Sequence, residues 1–101
     1  MLTLPIKRKW YDMILSGEKK EEYREISSYY NSRFENIGLL NHVLEPTNQR
    51  RCVLIRNGYS KISPTAMIDV KIRMGEGKPE LGAEQGKIYR VLEILEVKEW
   101  W

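Results

Sequence analysis

The chain has 101 residues, of which 42% are hydrophobic and 31% charged, with a net charge of +3 at pH 7. This length predicts a single domain, residues 1–101, built around one core. The apolar runs are too short for a membrane span and the first residues lack a signal-peptide core, so we expect a cytoplasmic protein that binds no membrane. With one cysteine, one histidine and no Gly-rich phosphate loop, we expect no disulfide, no metal and no cofactor.

The N-terminal residues predict a strand followed by a helix. Leu2–Ile6 alternates apolar and other residues as a strand does, and Pro5, which lacks an amide donor, favours the edge of a sheet. Arg8–Ser16 has apolar residues at helical spacing. Gly17 then provides the left-handed residue that commonly ends a helix.

A polar strand and a second helix come next. Lys20–Ile26 has a period of two, which predicts a strand with Lys20, Glu22 and Arg24 on one face and Glu21, Tyr23 and Glu25 on the other. Ser27 or Ser28 can cap a short helix in which Tyr30 and Phe34 stack.

The second half of the chain predicts three strands separated by loops. Residues 36–51 form a loop, Cys52–Asn57 is a strand, and residues 75–86 form a turn-rich loop. Ile88–Val97 is apolar on both faces over its middle, which favours an interior position in the sheet. Thr65–Met74 alternates, with an apolar face made of Ala66, Ile68, Val70, Ile72 and Met74.

These elements indicate an α+β fold that is mostly β. About five to six strands with two short helices, in a chain of this length, favour a small closed or half-closed β-barrel with the helices at its rim.

The segment Gly17–Arg24 matches the pattern G-x-K-x-x-E-x-R and resembles the signature of the ASCH (activating signal cointegrator homology) domain. The lead-in LPIKRKWYDMILSG, the strand carrying Arg56–Tyr59 and the closing Gly86–Ile94 also look like small bacterial and phage members. The resemblance covers nearly the full chain and implies a PUA-like β-barrel.

The resemblance implies two functions. ASCH domains are generally regarded as RNA- or nucleotide-binding modules, and some small bacterial members are amidohydrolases that deacylate N4-acetylcytidine. In those enzymes the motif lysine, which Lys19 matches here, is catalytic. Their nucleophilic threonine corresponds to Glu22 in this chain, which departs from the hydrolase pattern.

The positive charge lies mainly in the middle of the chain. Residues 50–73 carry six basic side chains against Asp69 alone, a local +5, whereas residues 74–101 carry four basic and six acidic ones. This segment either forms a basic face for a polyanion or is neutralised when the fold brings acidic residues beside it.

The chemistry of the motif centres on Lys19, Glu22 and Arg24. We expect Arg24 to pair with Glu22 on one strand face and to favour its ionised form. Lys19 and Arg24 could then hold a phosphate or a polarised carbonyl, while Glu22 accepts the exocyclic amine of a base. The alternative is an exposed strand whose alternating charges only confer solubility.

Four further residues are candidate ligand contacts. Tyr30 and Tyr59 are candidate stacking platforms for an unpaired base, with packing as the alternative. Arg56 and Asn57 end a strand and could contact phosphate and base edge, although Asn57-Gly58 is also an ordinary turn dipeptide.

The sequence thus favours an RNA- or nucleotide-binding module, with an amidohydrolase acting on a modified nucleoside as the alternative. The ligand expected is single-stranded RNA or a modified base. His42 is interpreted as a loop residue, and Cys52 as a small buried residue. Trp100 and Trp101 either pack across the barrel floor or mediate a homodimer.

Overall fold

The computed structural model describes all residues from 1 to 101 and confirms a small α+β fold that is mostly β. It contains five strands, β1 (Thr3–Ile6), β2 (Glu21–Arg24), β3 (Arg51–Asn57), β4 (Thr65–Glu76) and β5 (Ile88–Trp100). Two α-helices, α1 (Arg8–Ser16) and α2 (Ser28–Asn36), and a short 3₁₀ turn at Pro79–Leu81 complete the secondary structure.

The strands form one mixed sheet in the order β1-β3-β4-β5-β2. β1 pairs with β3 in parallel, and the other three pairs are antiparallel. β1 and β2 form the two edges and share no ladder of backbone hydrogen bonds, so the sheet is not closed into a barrel. A side chain links the edges instead, because Arg24 Nη2 of β2 donates to Pro5 O of β1 at 3.0 Å.

Several local predictions are confirmed. β1, which contains Pro5, is an edge strand, and β5 lies inside the sheet between β4 and β2. α1 spans Arg8–Ser16 as predicted and ends at Gly17, whose φ of 86° is the left-handed conformation that glycine adopts without steric cost. Ser27 caps α2 by accepting a hydrogen bond from the Tyr30 amide.

The long β4–β5 pair extends beyond the core and departs from the predicted pattern. The register shifts twice, between Met67 and Ile68 and between Asp69 and Val70, as β-bulges do. Met74, which we predict on the apolar face, is 57% exposed. The prediction is wrong here because the core covers this face of β4 only as far as Ile72, which is 4% exposed.

The main core lies between the sheet and the two helices. α1 contributes Tyr11 and Ile14, and α2 contributes Phe34, which stacks with Tyr30 at 5.9 Å between ring centroids. A smaller cluster of Ala83, Tyr89 and Val91, with Tyr23 packed against it, lies apart from this core. No helix in the structure has the length and apolar character needed to cross a bilayer.

Candidate functional site

A cavity of about 520 Å³ opens beside the gap between the two edge strands. This volume falls within the range of roughly 300–1,000 Å³ that is typical of small-molecule sites. The lining comes from β1, α1, β2, the residues after β3, the 3₁₀ turn and β5: Pro5, Ile6, Lys7, Arg8, Trp10, Lys19, Glu22, Tyr23, Arg24, Asn57, Gly58, Tyr59, Leu81, Gly82 and Tyr89.

Lys19 reaches this cavity because of how α1 ends. After the left-handed Gly17, the Lys19 amide donates to Met13 O at 3.0 Å, which turns the chain back over the last helical turn. Lys19 therefore precedes β2 and does not follow the alternation of that strand. Its side chain is only 1% exposed, which is unusual for a lysine.

The Lys19 ammonium is held by a carbonyl, a carboxylate and two aromatic rings. Nζ donates to Leu81 O in the 3₁₀ turn and lies 3.3 Å from Glu22 Oε1. It also sits 4.9 Å from the Trp10 ring centroid and 4.7 Å from that of Tyr23, within cation–π range. Burial lowers the pKa of Lys19, and the neighbouring Glu22 carboxylate opposes that shift without cancelling it.

Glu22 joins the two cations of the motif. Its Oε1 faces Lys19, and its Oε2 accepts from Arg24 Nη2 at 2.9 Å. Arg24 Nη2 also binds Pro5 O, while Arg24 Nε is buried without a hydrogen-bond partner. With Lys19 protonated, Lys19, Glu22 and Arg24 together carry two positive charges and one negative charge, largely shielded from solvent. The cluster therefore favours binding of an anion.

Tyr23 forms a rigid wall of the cavity. Its hydroxyl donates to Glu21 Oε1 at 2.8 Å and accepts from the Lys78 amide at 3.0 Å. Its ring packs against Tyr89 with centroids 5.5 Å apart. Burial, together with the Glu21 carboxylate, raises the pKa of Tyr23 to about 12, so the phenol stays protonated at neutral pH.

The structure brings five of the seven predicted site residues to this cavity: Lys19, Glu22, Arg24, Asn57 and Tyr59. Tyr30 does not line it and instead lines a smaller neighbouring cavity. Arg56 lines neither cavity, because its guanidinium turns along the sheet and Nε donates to Thr65 Oγ1 at 3.4 Å.

The sequence predictions missed the residues that the folded chain brings from elsewhere. Trp10 is one of the apolar residues at helical spacing in α1, which predicts a core position, yet it forms a cation–π contact with Lys19. Leu81 lies within the segment 75–86 that is predicted only as a turn-rich loop, and Tyr89 lies in the predicted strand Ile88–Val97. The one signal in the local sequence was Gly82, which ends the 3₁₀ turn with a φ of 106°. This turn places the Leu81 carbonyl where it accepts a hydrogen bond from Lys19.

The basic segment 50–73 does not stay uniformly basic in the fold. Arg50 pairs with Asp69 and Glu96, both at 2.8 Å. Arg73 pairs with Glu21 at 2.8 Å and Glu93 at 3.4 Å. The sheet therefore places acidic residues beside the segment, which supports the alternative in which the fold mixes these charges.

The remaining sequence candidates lie away from the cavity. His42 is exposed in the loop after α2, and Cys52 is half-buried in β3. Trp100 and Trp101 are 63% and 61% exposed, although the Trp101 backbone pairs with Thr65, so neither indole packs as part of the core. No group of three or more His, Cys, Asp or Glu side chains is arranged to hold a metal ion.

Comparisons with protein-family models, curated proteins and solved structures found no match for this chain. The chemistry assigned to the site therefore rests on the cavity and on the side chains that line it.

Proposed function

We propose that the protein binds a nucleotide, or an unpaired nucleotide of single-stranded RNA, in the 520 Å³ cavity. One observation carries this proposal. Lys19, Glu22 and Arg24, which are close in sequence, meet at one wall of a cavity that aromatic rings also line.

Charge supports a phosphate-bearing ligand. Lys19 and Arg24 share the single carboxylate of Glu22, so this side of the cavity carries an excess positive charge that attracts an anionic ligand. Lys7 and Arg8 lie at the cavity lining as well, and Lys7 forms no salt bridge. Such a cluster attracts phosphate and makes affinity fall with salt.

The aromatic lining supports a flat, base-bearing ligand. Tyr59 is 89% exposed at the cavity, and Trp10 and Tyr23 flank Lys19. Stacking on one such ring stabilises a bound base by about 1–3 kcal/mol, largely independently of which base it is. Asn57 offers an amide that can pair with a base edge, and Glu22 can accept an exocyclic amine.

The proposal extends to the fold family. We propose that the chain is an ASCH-type domain and that its five-stranded sheet is a PUA-like barrel left half-open between β1 and β2. The bridge from Arg24 to Pro5 O across that gap supports this, because it holds the two edge strands together where a closed barrel would pair them.

A second candidate function is hydrolysis of the acyl amide of N4-acetylcytidine or a related nucleoside. It is favoured by the burial of Lys19 at the cavity wall, which lowers the pKa of the amine and so makes its neutral, basic form easier to reach than in a free lysine. Lys19 would take a proton from water as the hydroxide adds to the acyl carbonyl. When the acyl C–N bond breaks, Lys19 would return that proton to the exocyclic nitrogen, which leaves as the amino group of cytidine, and the acyl group leaves as the carboxylic acid. Glu22, held by two cations, suits this base role less well than Lys19.

Equilibrium binding tests the main proposal. We would titrate a labelled single-stranded oligoribonucleotide and cytidine monophosphate into the wild type, Lys19→Met and Lys20→Met. Lys20 is exposed and lines neither cavity, so it is a matched control. We expect about tenfold or greater loss for Lys19→Met, unchanged binding for Lys20→Met, and affinity that falls with salt. No binding at low ionic strength, or equal loss in both variants, would reject the proposal.

Product analysis tests the second candidate. The protein would be incubated with N4-acetylcytidine and cytidine release followed by chromatography. Release that disappears in Lys19→Met and persists in Lys20→Met would support hydrolysis. If the wild type binds the nucleoside without releasing cytidine, the protein is a binding module and the hydrolase candidate is rejected.

A further inference from the structure

A second cavity, of about 200 Å³, adjoins the first on the side of β1 and α2. The two cavities share Pro5, Arg24 and Tyr59 in their linings, so they are neighbouring compartments of one surface. The smaller one adds Tyr29, Tyr30 and Arg33 from α2. At this size it falls below typical independent ligand sites, which begin at about 300 Å³, so it suits one small group of a larger ligand.

The lining of the second cavity has two guanidinium groups and no carboxylate. Arg33 takes part in no salt bridge, and its only hydrogen bond runs from Nη1 to Tyr29 O at 3.0 Å. Its guanidinium lies 3.4 Å from the Tyr29 ring centroid, which fixes the plane of the group. Several of its N–H donors therefore have no protein acceptor.

Arg24 supplies the second guanidinium and connects the compartments. Its Nη2 holds Glu22 on the side of the main cavity, while its Cζ lies 5.7 Å from the Tyr30 ring centroid. Its Nε is buried and has no hydrogen-bond partner. A buried donor without an acceptor is unfavourable, and an anionic oxygen that reached it would relieve that cost.

We propose that this second cavity binds a phosphate of the ligand whose base occupies the main cavity, with Arg33 and Arg24 as the phosphate contacts. This inference rests on the proposed function. Arg33 has no carboxylate partner, and Arg24, although its Nη2 is paired with Glu22, keeps an unpartnered Nε. Two planar guanidinium groups with free donors fit the oxygens of a phosphate better than they fit a neutral group. The phosphate can be the terminal group of a mononucleotide or the phosphodiester that leads to the next nucleotide of an RNA.

A comparison of ligands with and without phosphate tests the inference. Calorimetry would measure Kd for four cytidine ligands: cytidine, its 5′- and 3′-monophosphates, and a cytidine dinucleotide. The matching adenosine series covers a second base that carries an exocyclic amine. The proteins are the wild type, Arg33→Gln, and Lys20→Gln as a control that removes one positive charge outside both cavities. Circular dichroism and thermal melting would verify that each variant is folded.

We expect the wild type to bind a phosphorylated ligand at least about tenfold more tightly than its nucleoside, because the phosphate forms charged hydrogen bonds with the guanidinium groups. Arg33→Gln should remove most of that difference and leave nucleoside binding unchanged, whereas Lys20→Gln should keep it. Tighter binding of the monophosphates indicates a terminal phosphate, and tighter binding of the dinucleotide alone indicates the phosphodiester.

The two proposals fail in different ways. If the nucleosides bind but Arg33→Gln weakens every ligand equally, or none, the phosphate inference is overturned and the main cavity remains a nucleoside site. If no nucleoside, nucleotide or dinucleotide binds the wild type, the proposed function fails and this inference fails with it.

Discussion

Lys19 Nζ lies 3.3 Å from Glu22 Oε1, and both side chains are almost entirely removed from solvent. A buried ion pair of this kind is seldom retained for stability alone, because its desolvation cost is comparable with its Coulomb energy. The pair is also unbalanced, since Arg24 adds a second cation to the same carboxylate. These features fit a site that is completed by an anionic ligand.

Removing the carboxylate should destabilise the fold more than removing the lysine. Glu22→Gln leaves Lys19 and Arg24 buried without a counter-charge, and we expect a loss of about 3 kcal/mol in the free energy of unfolding. Lys19→Met leaves the Glu22–Arg24 pair intact and should cost less than half of this. Urea denaturation of both variants measures the difference; equal losses would show that Glu22 does not balance two cations.

Stability should depend on pH through Lys19. Burial lowers the folded-state pKa of Lys19 below 10.5, so the unfolded chain binds more protons in the interval between the two values. Stability therefore rises with pH through that alkaline interval, as the buried ammonium loses its proton. Lys19→Met should remove this rise, and the difference in urea midpoint between it and the wild type, followed with pH, measures the effect. A flat difference would contradict the account.

The Tyr23 hydroxyl should titrate well above the ordinary tyrosine pKa of 10.0. Its raised pKa of about 12 means that its contribution to stability is complete below pH 10 and is lost as the pH rises towards 12. Tyr23→Phe removes the bonds to Glu21 and the Lys78 amide and should cost about 1–2 kcal/mol. Alkaline absorbance titration of this variant should lose a tyrosine step near pH 12; persistence of that step would assign it to another tyrosine.

Alanine substitution at two glycines with similar backbone conformation distinguishes the effect of backbone strain from the effect of a changed site geometry. Gly82 and Gly86 both have positive φ, 106° and 79°, so alanine at either should cost about 1–2 kcal/mol. A Cβ at Gly82 would come within 3.1 Å of the Trp10 ring, whereas one at Gly86 meets nothing within 4 Å. Gly82→Ala should therefore also displace Trp10 and weaken ligand binding.

Gly86→Ala is the control for that comparison. Thermal melting gives the stability change, and nucleotide titration gives the change in Kd. We expect similar stability losses and a selective loss of binding for Gly82→Ala. Equal effects on binding would mean that Trp10 and the Leu81 carbonyl do not shape the site.

The sequence predicts the parts of the site whose residues lie close together along the chain. The end of α1 at Gly17 and the spacing to Glu22 and Arg24 placed the three motif residues together, as the structure has them. The period-two pattern alone would have paired Lys20 with Glu22 and Arg24. Lys19 takes that place because it lies just outside β2 and does not follow its alternation.

The rest of the site depends on contacts that are distant in sequence. Leu81 meets Lys19 across 62 residues, and no periodicity in either segment indicates that contact. The parallel pairing of β1 with β3 and the open gap between β1 and β2 are likewise set by packing of the whole sheet. The same holds for Arg50, whose acidic partner Glu96 comes from the other end of the chain.

The most direct test of the central claim is to locate the bound ligand by NMR. Isotope-labelled protein would be titrated with cytidine and adenosine monophosphates, with the backbone amides and the Lys19 ammonium followed through the titration. We predict perturbations concentrated at Lys19, Glu22, Arg24, Asn57 and Tyr59. Perturbations confined to the β4–β5 surface around Arg50 and Lys98, with the Lys19 signal unchanged, would contradict the account.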